Sequence, residues 1–304
     1  MRSTLAVALL ALTTLACRPD AVTTPAGTTG ADAQPPGPHQ PFLAARAGHP
    51  TVLLKKGPTP ETLGEPATPQ GAQAIRYPGA TGALFGWLMT PPGDGPFPVL
   101  VYFHGGFALA PSDFAKVRPL VDAGFAVMTP ALRGENGNPG AMELLFGELD
   151  DAVAAITWVA TQPNIDPAQV HVIGHSAGGG LAALVSLRPD TKVASTSSIG
   201  GIYVPETFVR WAKSEGNSKL IRFDPSLRHE RELRVLGPNV ADMVHPHTAY
   251  VGKSDAPILE NAQKVLEAAQ TAKAPLELVI VDGDHVSSIK PALAAWLAAR
   301  QAKP

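Results

Sequence analysis

The chain has 304 residues, of which 45% are hydrophobic and 16% are charged, a composition typical of a globular protein. Its 24 Lys and Arg residues against 26 Asp and Glu residues give a formal net charge of −2. This balance provides no basic face for nucleic acid and no acidic disordered tail, so we expect no nucleic-acid partner. A single cysteine excludes an internal disulfide framework.

The N-terminus predicts an export signal over residues 1–16. Arg2 precedes an apolar stretch, residues 5–16, that is shorter than the roughly 20 residues of a membrane-spanning helix. The run Thr14-Leu15-Ala16-Cys17 resembles a bacterial lipoprotein signal, although Thr14 stands where such signals usually carry Leu. The resemblance implies lipidation of Cys17 and attachment to a membrane of the bacterial cell envelope. The alternative is ordinary cleavage near Ala16, which would leave a periplasmic or secreted protein.

Residues 17–45 are rich in Pro, Thr, Ala and Gly. Such a segment buries too little apolar surface to offset its chain entropy, so we interpret it as a tether. The folded domain is therefore expected over residues 46–304.

Apolar runs and helical patterns alternate along that domain. The predicted strands are residues 51–55, 83–89, 97–103, 124–129, 170–174, 193–199, 247–252 and 276–281. The predicted helices are residues 142–161, 177–187, 256–272 and 289–302. The first two strands are expected to be antiparallel edge strands. This order predicts the α/β class, with a mostly parallel eight-stranded sheet and helices on both faces.

One segment, near residues 201–246, interrupts the alternation. Within it, residues 205–235 are unusually charged but also contain aromatic residues such as Phe208 and Trp211. An amphipathic insertion between two strands of such a sheet favours a lid over an active site. The alternative is a solvated surface excursion without a role.

The sharpest motif is Gly174-His175-Ser176-Ala177-Gly178, which follows a predicted strand and precedes a predicted helix. That context is the one that a Gly-x-Ser-x-Gly nucleophile elbow requires. The serine sits in a tight turn, and a Cβ on Gly174 or Gly178 would collide with the neighbouring backbone. The helix N-terminus directs its N–H groups towards the reaction site. Ser176 is therefore a candidate nucleophile.

On these residues the chain resembles the α/β-hydrolase superfamily over about residues 75–304. In that family the catalytic residues occur in the order Ser, acid, His. The resemblance implies that His285, after the last predicted strand, is the general base, and that Asp255, after the preceding strand, is the acid that orients it. Asp282 and Asp284 are rivals for the acid because they are close to His285 in sequence.

The resemblance also implies an oxyanion hole in the loop after the predicted strand 97–103. There Phe103-His104-Gly105-Gly106-Phe107 supplies glycines whose N–H groups can approach an oxyanion. We assign the hole to the N–H groups of Gly106 and Ala177, with Gly105 or Phe107 as neighbours. His104 is expected to brace this loop.

Two branches of the superfamily share further motifs with this chain. Residues 130–137, which contain Arg133-Gly134, resemble a turn of prolyl oligopeptidase-type catalytic domains. The His-Gly-Gly loop and residues 284–289 resemble small esterases related to kynurenine formamidase and feruloyl esterase.

The sequence therefore predicts a serine hydrolase that needs no cofactor, acting on a small ester or, alternatively, on a short peptide or amide. A non-catalytic tethered binding protein is the third hypothesis. His245 and His247 are a possible metal-ligand pair, but no Cys or carboxylate spacing completes a site, so no metal is expected.

Overall fold

The computed structural model describes residues 39–61 and 64–302, which belong to one compact unit. The predicted signal peptide, Cys17 and the predicted tether up to residue 38 lie outside the described residues. The first helix, α1 (Phe42–Gly48), begins inside the range predicted as tether. Phe42 and Arg46 of this helix are buried, so packed structure starts a few residues before the predicted boundary at residue 46.

Eight strands form one sheet. They are β1 (Gln73–Gly79), β2 (Gly82–Met89), β3 (Phe97–Phe103), β4 (Ala126–Pro130), β5 (Ile165–His175), β6 (Ser195–Ile199), β7 (His247–Gly252) and β8 (Leu276–Val281). Their order is β1-β2-β4-β3-β5-β6-β7-β8. β1 and β2 run antiparallel to their neighbours and the others are parallel, which confirms the predicted mostly parallel sheet.

The continuous apolar run of β3 is explained by cores on both faces of the sheet. Val99 and Val101 point into one core, whereas Leu100 and Tyr102 point into the other, because successive strand residues face opposite sides. The first core is covered by α4 (Gly147–Ala160), α5 (Ala177–Val185) and α8 (Ala256–Ala272). The second is covered by α2 (Pro111–Val117), α3 (Pro119–Asp122) and α9 (Ile289–Gln301).

One predicted edge strand is wrong. Residues 51–55 have no strand structure and instead run beside the insertion, where the Leu54 N–H donates to the Arg222 carbonyl. The edge strand is β1, which has no counterpart among the strands predicted from the sequence. Its residues are mostly solvent-exposed and include Pro78, so the strand carries no apolar run; Tyr77 alone is fully buried.

The insertion between β6 and β7 contains two α-helices, α6 (Pro205–Lys213) and α7 (Arg228–Glu232), and two short 3-10 helices, Ser218–Leu220 and Gly237–Asp242. α6 is amphipathic. Its Phe208 and the nearby Phe223 pack with Leu144 and Val235 into a small separate apolar cluster. Leu144 and Phe208 of this cluster lie close to Ser176, which follows β5, because they line the same cavity.

Candidate active site

Ser176 occupies a strained turn between β5 and α5, with φ 54° and ψ −116°. A Cβ on Gly174 would lie 2.0 Å from the Gly178 carbonyl oxygen, and a Cβ on Gly178 would lie 2.2 Å from that of Phe103. Side chains cannot be accommodated at either position, so the two glycines allow the serine its left-handed backbone. The steric interpretation of the motif therefore matches the structure.

The structure brings together the three side chains predicted as a catalytic triad. His285 Nε2 lies 3.0 Å from Ser176 Oγ, and His285 Nδ1 lies 2.7 Å from Asp255 Oδ2. They follow β5, β7 and β8, whose carboxyl ends share one edge of the sheet. The Asp255 side chain is 10% exposed and that of His285 is 38% exposed, so the carboxylate is shielded while the imidazole stays accessible.

The two rival carboxylates bond elsewhere. Asp282 is 81% exposed and pairs with Lys253 at 2.6 Å. Asp284 Oδ1 accepts hydrogen bonds from the backbone N–H groups of Val286 and Ser287 and from the Ser287 hydroxyl, which together lower the pKa of Asp284 to about 2. Asp284 therefore shapes the loop that carries His285, and Asp255 is the carboxylate that contacts the ring.

The predicted oxyanion-hole residues surround Ser176. Gly106 and Ala177 line the same cavity as Ser176 and His285. Ala177 is the first residue of α5, where an N–H has no acceptor within the helix. Gly105 packs closely against Ser176 and His175, because a Cβ on Gly105 would be 3.3 Å from Ser176 Cβ and 2.6 Å from His175 Nδ1.

His104 orients the peptide that carries the Gly106 N–H. Its buried ring bonds the Gly105 carbonyl through Nδ1 at 3.1 Å and Glu135 Oε2 through Nε2 at 3.0 Å. A trans peptide directs its C=O and N–H in opposite directions, so a Gly105 carbonyl held by His104 turns the Gly106 N–H away from His104. Burial lowers the pKa of His104, but the Glu135 carboxylate outweighs it and the net effect raises that pKa to about 9.

His175 contacts the loop of the general-base candidate. Its Nε2–H donates to the backbone carbonyl of His285 at 2.9 Å, and the two rings are 5.1 Å apart. Burial lowers the pKa of His175 to about 4, so the ring is neutral beside His285. The sequence alone predicts no role for His175, which stands at a variable position of the motif, and none for Glu135.

A cavity of about 420 Å³ opens above Ser176 and His285. Phe107 from the loop after β3, Leu144 and Leu145 from the loop before α4, and Phe208 and Trp211 from α6 form much of its wall. The insertion thus covers the site, as a lid would. Its movement stays a prediction.

The predicted histidine pair is engaged elsewhere. His245 Nε2–H donates to the Arg188 carbonyl at 3.0 Å. The fully buried His247 bonds Thr196 at 2.8 Å and Ser198 at 2.7 Å, and burial lowers its pKa to about 3. Over residues 39–61 and 64–302, no group of three or more His, Cys, Asp or Glu side chains could hold a metal ion. In the same ranges, every helix is too short or too polar to cross a membrane.

Comparisons with known proteins agree with this architecture. The protein named "Uncharacterized peptidase YtmA" of Bacillus subtilis (strain 168) is 28% identical over 122 residues, which are 38% of this chain and 46% of that relative. The chain therefore matches about half of that relative's length.

Two solved structures share the fold. A puromycin-hydrolyzing peptidase of Mycobacterium tuberculosis matches with a TM-score of 0.64 at 20% identity, over 75% of this chain and 38% of that one. The esterase Est22 matches with a TM-score of 0.62 at 16% identity, over 76% of this chain and 77% of that one. A sequence model described as "Alpha/beta hydrolase family" matches residues 99–303. With that match and the sheet topology, the chain belongs to the alpha/beta hydrolase family.

Proposed function

We propose that the protein is a serine hydrolase that cleaves carboxylic esters through an acyl-enzyme. The observation that carries this proposal is the continuous hydrogen-bonded chain from Asp255 Oδ2 through both ring nitrogens of His285 to Ser176 Oγ, with distances of 2.7 and 3.0 Å. An Nδ1–H held by the carboxylate leaves Nε2 as an acceptor for the serine proton.

In the first half of the reaction, Ser176 Oγ attacks the ester carbonyl carbon and His285 Nε2 takes its proton. The C–O bond to the leaving group then breaks, and His285 returns the proton to the departing alcohol. In the second half, water attacks the acyl-enzyme with His285 again as base, which releases the acid and restores the Ser176 hydroxyl. Asp255 orients the ring and stabilises its charged form throughout.

The negative charge that develops on the carbonyl oxygen needs donors that are already in place. The N–H groups of Gly106 and Ala177 fill this role in the proposal, and donors of this kind are worth about 3–4 kcal/mol each. The His104–Glu135 pair supports it by fixing the Gly105 carbonyl, and therefore the direction of the adjacent Gly106 N–H.

An ester is favoured over a peptide by the chemistry of the cavity wall. Among the described residues that line it, the side-chain polar groups besides those of Ser176 and His285 are the Asn217 amide and the Trp211 indole N–H. A peptide brings backbone N–H and C=O groups that must be paired when buried, whereas an ester brings no N–H. The peptidases named among the similar proteins support amide hydrolysis as the second candidate.

Matched substrates test the proposal. We expect hydrolysis of p-nitrophenyl acetate to exceed that of the corresponding p-nitroanilide at least about a hundredfold, and Ser176→Ala to abolish it. Faster hydrolysis of the anilide would favour the peptidase. A chain that hydrolyses neither compound, and does not react with a fluorophosphonate probe, would be the non-catalytic binding protein.

We further propose that the enzyme is exported to the bacterial cell envelope and held there by a lipid on Cys17. The support is the sequence of residues 1–17 alone. Mass spectrometry of the mature N-terminus tests it: a diacylglyceryl-modified Cys17 is expected, and an unmodified thiol would contradict the anchor.

A further inference from the structure

The cavity above Ser176 is apolar and uncharged. Among the residues described in the structure, no Asp, Glu, Lys or Arg lines it. Its aromatic wall is continuous, because the Trp211 ring lies 6.5 Å from that of Phe107 and 6.1 Å from that of Phe208. Two carboxylates lie behind the lining residues: that of Glu61 would be 3.6 Å from a Cβ on Gly106, and that of Asp255 bonds His285. A ligand that fits this space is therefore apolar and carries no negative charge.

The opposite wall is built by two leucines in an unfavourable backbone conformation. Leu144 has φ 52° and Leu145 has φ 70°, a region that bulky side chains rarely adopt. This backbone directs Leu144 into the cluster with Phe208 and brings Leu145 against α5, where a Cβ on Gly180 would lie 3.1 Å from Leu145 Cδ1. Strain of this kind persists only where the surroundings enforce it, and it is concentrated at functional sites.

Buried charged side chains bond the backbone N–H and carbonyl of Glu143, the residue just before the two leucines. The Glu143 N–H donates to Glu148 Oε1 at 2.7 Å, and the Glu143 carbonyl accepts from Arg234 Nη2 at 2.9 Å. Arg234 is fully buried and pairs with Glu230 of α7. The wall therefore joins the hydrolase core, through Glu148 of α4, to the insertion, through Arg234.

The position of His285 indicates where the leaving group and the acyl group of an ester would bind. The leaving group must lie beside His285, which returns the proton to it, and this ring is the more exposed of the His285–Asp255 pair. The acyl group stays bonded to Ser176, whose side chain lines the same cavity as Phe107, Leu145 and Trp211.

We infer that this cavity binds the acyl group of the substrate, that the acyl group is apolar and uncharged, and that Leu145 and Trp211 set its maximum size. This inference rests on the proposed ester hydrolysis and names its substrate class. Leu145 and Trp211 bound the space without contacting the reacting atoms, so they determine specificity and are not catalytic residues.

A series of p-nitrophenyl esters from acetate to dodecanoate tests the inference on the purified full chain. For wild type, kcat/KM should rise from acetate and then fall as the chain outgrows the cavity. Leu145→Gly, which also removes the φ penalty, and Trp211→Ala should each raise the ratio of kcat/KM for decanoate to that for acetate at least about tenfold. A p-nitrophenyl hydrogen succinate should react at least about tenfold more slowly than the pentanoate.

Two matched controls exclude general effects of the substitutions. Lys273→Gly relieves a positive φ of 56° at the end of α8, and Leu227→Ala removes a leucine that is 42% exposed in the insertion. Both should leave the chain-length ratio within about twofold of wild type.

The outcomes separate the inference from the proposed function. If wild type hydrolyses acetate through Ser176 but neither Leu145→Gly nor Trp211→Ala changes the ratio, or if the succinate is preferred, the inference is wrong and the esterase stands. If Ser176→Ala hydrolyses the esters as fast as wild type, the proposed function fails first. Leu145 and Trp211 belong to separate elements, so one variant that does not fold leaves the other to decide.

Discussion

The turn around Ser176 and the insertion above it are built by different contacts. The turn is fixed by backbone atoms that leave no room for a side chain at Gly174 or Gly178. The insertion is fixed by charged side chains, with Arg234 and Glu230 buried together and Arg222 bonding the carbonyls of Gly57 and Pro58. The turn around Ser176 is thus recognisable from five consecutive residues, although Gly178 packs against the end of β3. The cover that shapes the cavity depends on partners far away in sequence and has no such local motif.

The largest effect is expected in the turn. Gly178→Ala places a Cβ 2.2 Å from a backbone oxygen that cannot move without distorting β3, so we expect a loss of about 5 kcal/mol in the free energy of unfolding, or failure to fold. Urea denaturation measures this loss. Gly64→Ala is the control, because a Cβ there meets nothing within 4 Å. A Gly178→Ala protein as stable as the control would show that the turn is not sterically fixed.

The insertion should respond to removal of one buried charge. Arg234→Met leaves Glu230, which is 1% exposed, without its cation and is expected to cost about 4 kcal/mol of unfolding free energy. Arg228→Met breaks the exposed pair with Glu232 in the same helix and should cost about 0.5 kcal/mol. Thermal denaturation compares the two variants. Equal losses would mean that burial does not distinguish these ion pairs.

The buried pair of His104 and Glu135 should make stability depend on pH. The pKa of His104 is raised from 6.5 to about 9 in the folded state, so its stabilising contribution is complete below pH 6.5 and is lost as pH rises through 9. This pKa shift corresponds to a contribution of about 3 kcal/mol to the free energy of unfolding. Urea titrations at intervals from pH 6 to 10 measure it. Burial also raises the pKa of Glu148 from 4.5 to about 7, so stability falls with rising pH between these values as well. Because this fall occurs at lower pH, the contributions of Glu148 and His104 can be separated.

His104→Gln is the control for this pH dependence. It should flatten the fall in stability above pH 7 while leaving the part due to Glu148 in place. An unchanged profile in His104→Gln would assign the dependence to another group.

The smallest effect concerns His175. His175→Phe removes the hydrogen bond to the His285 carbonyl, and we expect kcat to fall about tenfold with KM nearly unchanged, because the proposed base is misplaced while the cavity is intact. His245→Phe removes a similar bond to a backbone carbonyl far from the site and should leave kcat unchanged. A rise in KM alone would place His175 in substrate binding instead.

The contrast between the turn and the insertion explains which residues of the site could be predicted from the sequence. Ser176, Asp255 and His285 each follow a strand of recognisable pattern, and the shared sheet edge brings them together. Glu135, Arg234 and Glu148 could not be predicted, because their partners lie in other loops and helices. β1 has no apolar pattern from which a strand could be predicted, because most of its residues are exposed. Residues 51–55 have a pattern that predicts a strand, but their backbone bonds the insertion instead.

The most direct test of the central claim is the mass of the protein during turnover. Rapid acid quenching after mixing with p-nitrophenyl acetate should give a protein heavier by one acetyl group, and peptide mapping should locate that group on Ser176. Ser176→Ala should gain no mass, and His285→Ala should gain it far more slowly. An acetyl group that still forms at the same rate in Ser176→Ala, or that maps to another residue in wild type, would contradict the proposed mechanism.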